Sequence, residues 1–99
     1  MTQYDVFSHP QKKLLLVDIQ ADVLDALQSR VVIPLVPVGK ATPAMKSLNP
    51  VLRVNGEDYL LSTQDMAGVS SKALKRKVAT ASEHRAAINA AIDFLMHGY

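Results

Sequence analysis

LLLVDIQADVLDALQSRVVIPLVPV, residues 14–38, is the stretch on which the fold turns. Its first part, LLLVDIQ (14–20), begins fully apolar and ends alternating, as a strand does. Its last part, RVVIPLVPV (30–38), is rich in β-branched residues and reads as a second strand. Pro34 and Pro37 cannot donate to a ladder, so this second strand is expected at a sheet edge or with a bulge. ADVLDALQSR (21–30) reads in two ways. Val23, Leu24 and Leu27 fall at i, i+1 and i+4, which suits a helix, and the same residues suit an irregular extension of the strand.

Working outward, YDVF (4–7) alternates as a short first strand. SHPQKK (8–13) is a turn or loop, because Pro10 restricts its neighbours and Lys12 and Lys13 favour water. GKATPAMKSLNP (39–50) carries loop composition over about a dozen residues. VLRV (51–54), the Asn55–Gly56 pair within NGED, and YLLST (59–63) read as a β-hairpin. MAGV (66–69) reads as loop or short strand. Thr80 stands three residues before Glu83, a capping-box spacing, and Ser82 is an alternative cap. Ile88, Ala91, Ile92 and Leu95 then form one helical apolar stripe, and Gly98 occupies a C′ position beyond it. The pattern is mainly β, about five short strands, closed by one C-terminal helix.

Ninety-nine residues suggest one domain, residues 1–99. Hydrophobic residues make up 48%, which places the chain among globular rather than disordered sequences. The absence of Cys removes disulfides and thiolate metal sites. The first twenty residues fit neither a signal peptide nor a membrane span, so a cytoplasmic location is expected. The net charge of +2, from 11 basic and 9 acidic residues, is too mild to imply nucleic-acid binding. The basic residues are uneven, however. Lys72, Lys75, Arg76 and Lys77 crowd into KALKRK, a solvated face or a landing strip for an acidic partner.

Chemistry-bearing motifs are sparse. His9, His84 and His97 share no ligand spacing, which argues against a zinc site, and no cofactor motif is present. There is no G-x-S-x-G elbow and no phosphate-binding loop. Asp18, Asp22 and Asp25 read as a solvated acidic face. Asp93 and His97 are four apart on the helix and can meet. An acid partner and the helix dipole would both favour a charged imidazole there.

VDIQADVLD (17–25) followed by RVVIPL (30–35) resembles the CcdB toxin family. So do NPVLRV (49–54), TQDMAGV (63–69) and AAINAAIDFLMHGY (86–99), in the family's order and near-constant spacing. The resemblance implies a CcdB/MazF-like fold: a strongly bent, SH3-like antiparallel sheet or barrel with a small secondary sheet and a C-terminal helix. It implies a homodimeric, non-enzymatic toxin of a two-gene toxin–antitoxin module that poisons DNA gyrase by trapping its cleaved-DNA complex. Matched segment by segment, the gyrase-facing residues are Ala21, Val23, Asp93, His97, Gly98 and Tyr99. The family's usual Trp-Gly-Ile is here His97-Gly98-Tyr99. The aromatic that normally stacks on a gyrase arginine, a contact worth about 0.5–2 kcal/mol, is thus an imidazole, with Tyr99 two residues on. The expected partners are DNA gyrase, through its two A subunits, and a CcdA-like antitoxin with an acidic, disordered tail. Lys12, Lys13, Lys40 and Lys46 are the expected antitoxin contacts, in the loops that depart most from the family. Operon repression is expected through DNA contacts made by the antitoxin. The alternatives on the same fold are a MazF/Kid-like endoribonuclease and a homologue that no longer poisons gyrase.

Overall fold

The computed structural model describes residues 2–40 and 42–99. Within the 39–50 loop, Ala41 lies outside the described residues, as does Met1. The strands are β1 (Asp5–Ser8), β2 (Leu15–Asp18), β3 (Ser29–Pro37), β4 (Val51–Val54), β5 (Glu57–Leu61), β6 (Ala67–Ser70) and β7 (Lys77–Thr80). Helix α1 (Arg85–His97) follows. The strands form one curled antiparallel half-barrel sheet in the order β4-β5-β3-β2-β1-β7, with β6 also paired to β3. The small β4–β5 hairpin joins the main sheet through β5 and β3.

Two layers of side chains explain the apolar runs. Val6, Val17, Ile33, Leu35, Leu52 and Leu61 face Ile88 and Ala91 of α1 in the main core. Phe7, Leu16 and Val32 point the other way and meet Leu74, with Leu14 and Val69 at the margin. Both faces of β2 and β3 are therefore covered, and a strand covered on both faces can be continuously apolar.

β3 is central, not an edge. It pairs with β2 on one side and with β6 and then β5 on the other. Its prolines survive because of where their missing N–H groups fall. Pro34 faces the β5–β6 side, where its carbonyl accepts from Ser62 N at 2.9 Å. It lies between the β6 register, which ends at Val32, and the β5 register, which begins at Leu35. Pro37 faces the β2 side, two residues beyond the last β2 partner, Leu35.

The hairpin forms as its turn chemistry demands. Asn55 (φ 51°) and Gly56 (φ 81°) are both left-handed and Val54 pairs with Glu57, the two-residue loop that Asn-Gly favours. MAGV contributes the strand β6. β7 was not foreseen: KVAT carries no clear alternation, since Val78 and Ala79 are both half-buried. The capping box does not form. Thr80 Oγ1 accepts instead from Ser82 N at 3.3 Å, and a 3₁₀ turn, Ser82–His84, leads into α1 without a side-chain cap. At the other end Gly98 (φ 78°) caps as expected, its N–H donating to Phe94 O at 2.8 Å.

Candidate functional site

Residues 21–28 form neither an α-helix nor a strand extension, and Ser29 and Arg30 already belong to β3. Asp22–Leu24 makes a single 3₁₀ turn, and every residue from Ala21 to Ser29 is exposed. The helical spacing of Val23, Leu24 and Leu27 does not report packing: they are 88%, 45% and 51% exposed. What is buried lies at the two flanks. Gln20 donates from its backbone N–H to Asp18 Oδ1 (3.0 Å), accepts from Val31 N (3.2 Å) and donates to Leu24 O (3.1 Å). Arg30, 1% exposed, donates from Nε to Asp18 Oδ2 at 2.8 Å and from Nη1 to Asp25 Oδ1 at 3.1 Å.

This corrects the reading of Asp18 as part of a solvated face with Asp22 and Asp25. Asp18 is fully buried against Arg30, and Asp22 Oδ1 accepts from Gln3 N at 2.7 Å. Asp22 and Asp25, the latter with a side chain 58% exposed, do face water. A carboxylate can be buried without losing its charge only when a cation and hydrogen bonds replace its water, and Arg30 and Gln20 do this for Asp18.

The end of α1 presents the second group of residues. Asn89, Asp93 and His97 follow one another at four-residue spacing along an exposed helix face. Asp93 and His97 form no hydrogen bond or ion pair among the described residues. The His97 ring lies 5.8 Å from that of Tyr99, tilted by 43°, within the range of aromatic pairing. Gly98 permits this, because its left-handed backbone turns Tyr99 back toward the helix end. Tyr99 remains 80% exposed and Met96 60%. At the base of this face the Tyr4 hydroxyl donates to Asn89 Oδ1 at 2.9 Å. Tyr4 is buried, holds a left-handed φ of 72°, and its backbone donates to Asp18 O while accepting from Ala81 N. Two adjacent residues, Gln3 and Tyr4, thus tie the Asp22–Leu24 turn and α1 to one point of the chain.

A family model described as CcdB protein matches residues 3–98. The chain belongs to the CcdB family. The CcdB family comprises toxins of toxin–antitoxin systems. They are gyrase poisons rather than enzymes, and the family implies gyrase and an antitoxin as partners in general.

In this CcdB chain, three of the four lysines of the 8–13 and 39–50 loops come together. Lys12, Lys13 and Lys40 rim a hollow of about 450 Å³ floored by Leu14, Leu15, Pro37 and Tyr59, with Glu57 beside it. Burial raises the Tyr59 phenol above its ordinary pKa, and the Glu57 carboxylate adds to the effect. Lys46 lines a different hollow, with Met45, Val51 and Leu60. Tyr59 and Leu60 are consecutive in β5 and point to opposite faces, so the two hollows open on opposite sides of the sheet. Of KALKRK, Lys75 and Arg76 border a third hollow with His9 and Pro10, while Lys77 pairs with Asp5 at 3.2 Å.

Two histidines of this CcdB chain serve backbone. His9 Nδ1 accepts from Gln11 N and Lys12 N at 3.0 Å each, and His84 Nε2 lies 2.9 Å from Arg53 O. Among the described residues no group of three or more His, Asp or Glu is placed to hold a metal ion, and no helix is long and apolar enough to cross a membrane. Gln3, Tyr4, Gln20, Arg30 and Asn89 escaped sequence reading. Their roles depend on partners up to 85 positions away, and no local spacing signals such pairs.

Proposed function

We propose that this chain is a single cytoplasmic toxin domain which, as a homodimer, docks between the two A subunits of bacterial DNA gyrase and traps the cleaved-DNA complex. Its docking residues are Ala21, Val23, Asp93, His97, Gly98 and Tyr99. The observation that carries this reading is their display. All six are exposed, on two segments tethered to the adjacent residues Gln3 and Tyr4. Val23 and Tyr99 are the most prominent, large apolar groups with little cover, as binding surfaces are. A toxin of this kind breaks no bond itself. It binds the cleaved state better than the resealed one, and that difference in affinity shifts the enzyme toward the lethal state.

Asp93 lies free of His97 and is available to a gyrase arginine, and the paired His97 and Tyr99 rings supply the stacking surface that one larger aromatic supplies elsewhere in the family. The antitoxin is a CcdA-like chain whose acidic tail settles over Lys12, Lys13 and Lys40. Lys46 forms a separate contact on the other face. Operator DNA is reached only through the antitoxin.

The test is gyrase, supercoiled plasmid and the purified protein, with linear DNA scored after denaturation. Wild type is expected to yield linear DNA, and His97→Ala with Tyr99→Ala to abolish it. A double variant that remains fully active overturns the assignment of the tip. Defined RNA fragments from the protein alone would instead identify an endoribonuclease.

A further inference from the structure

The nine residues 21–29 bury no side chain, yet the turn within them holds a defined shape. A segment with no buried apolar contact is normally the first part of a fold to open. Beyond its own turn bonds this one is held by groups outside it, and among the described residues Arg30 makes the one ion pair to it. Its guanidinium divides between two carboxylates. Nε donates to Asp18 Oδ2 at 2.8 Å. Nη2 lies 2.7 Å from the same oxygen but misses hydrogen-bond geometry, so it adds charge attraction rather than an aligned bond. Nη1 points outward to Asp25.

Asp18 alone balances the charge of Arg30, so the Asp25 arm is not needed for neutrality. Its consequence is positional. Asp25 is the residue that closes the 3₁₀ turn, its N–H donating to Asp22 O at 3.0 Å. Asp22 is held by Gln3 N, and Leu24 O by Gln20. With Asp25 held by Arg30, the turn is clamped at its start, at its last residue and at its closure, while the side chains of Ala21 and Val23 are left exposed.

We propose that Arg30 is a positioning residue for the docking surface: through Asp25 it fixes the Asp22–Leu24 turn in the shape that presents Ala21 and Val23. This rests on the gyrase reading above. Arg30 itself is the poorer residue to change, because its loss strands a buried Asp18. Asp25→Ala removes only the outer arm, and Asp58→Ala, which breaks the exposed Arg53 pair at 3.4 Å, is the control.

Asp25→Ala in the full chain is expected to lower Tm by less than about 5 °C, because the pair is half-exposed and Asp18 still balances Arg30. Amide exchange over residues 22–28 should quicken about tenfold. The concentration giving half-maximal gyrase cleavage should rise about tenfold, the cost of ordering one or two backbone residues on binding. Asp25→Glu should recover part of both, and Asp58→Ala should change neither. Unchanged exchange in Asp25→Ala overturns the clamp. Faster exchange with unchanged cleavage overturns the positioning role while leaving the gyrase reading intact. Wild type that yields no linear DNA overturns the docking role itself, and the exchange data alone then decide whether Arg30 holds the turn.

Discussion

Two exposed connections, residues 21–29 and residues 42–49, are secured in opposite ways. The second buries its own side chains. Leu48 enters the protein and its carbonyl accepts from Thr63 Oγ1 at 2.6 Å. Asn49, 3% exposed, accepts from Ala44 N and Met45 N and donates to Leu61 O and Gln64 Oε1. The first buries nothing and is held by Gln3, Gln20 and Arg30 reaching out to it. A loop that anchors itself gives up side chains to the core. A loop anchored by its neighbours keeps every side chain for a partner, and it depends on a few buried polar groups elsewhere.

The largest effect should come from cutting the root of the first arrangement. Asp18→Ala leaves Arg30 buried without its internal partner, with only the outer Asp25 arm, and should destabilise the protein by about 3 kcal/mol, read as a lower urea midpoint. Asn49→Ala strikes the other loop directly. It strands two N–H groups and a carbonyl, and should cost about 2–3 kcal/mol by the same measurement. Should Asn49→Ala cost less than about 1 kcal/mol, the second loop is not self-anchored as described.

Acid separates the two loops without mutation. Burial alone would raise the Asp5 carboxyl, but the Thr2 N–H and hydroxyl and the Lys77 ammonium outweigh it and hold its pKa below the usual carboxylate range. A group with a depressed folded pKa adds stability at any pH above its unfolded value, near 3.8, and loses it as pH falls through the folded value. Asp5 holds Thr2 N at 3.0 Å, next to Gln3 and its bond to Asp22. Below about pH 4, amide exchange should therefore quicken over 21–29 before 42–49. Asp5→Asn should weaken that pH dependence, leaving what the Asp22 and Asp25 carboxylates contribute.

The smallest effect on stability should fall on the most exposed side chain. Val23→Ser should leave the urea midpoint within about 0.5 kcal/mol of wild type while weakening gyrase cleavage. A stability loss beyond about 1 kcal/mol would mean that the first loop does contribute to the core.

Local chemistry was sufficient wherever partners are near in sequence. Asn55–Gly56 specifies its hairpin because left-handed backbone at both turn positions is needed there and nowhere nearby. The stripe through Ile88 and Ala91, with Gly98 beyond it, specifies α1 and its end. The order of segments from VDIQADVLD to the closing helix was enough to place the chain in its family. The same locality failed for residues 21–30, where helical spacing of three apolar residues met no surface to pack on. It also failed for β7, whose pairing with β1 joins residues about seventy positions apart and carries a bulge between Val6 and Phe7.

By itself, then, the sequence determined the hairpin, the helix and its cap, and the family, because each rests on residues within a few positions or on the linear order of motifs. Only the tertiary structure decided that β3 lies at the centre despite two prolines, that Asp18 is an internal counter-ion, and that Gln3 and Tyr4 tether both displayed segments. Those outcomes depend on which backbone groups find partners across the sheet and on where water is excluded, and neither is a property of any short stretch of chain.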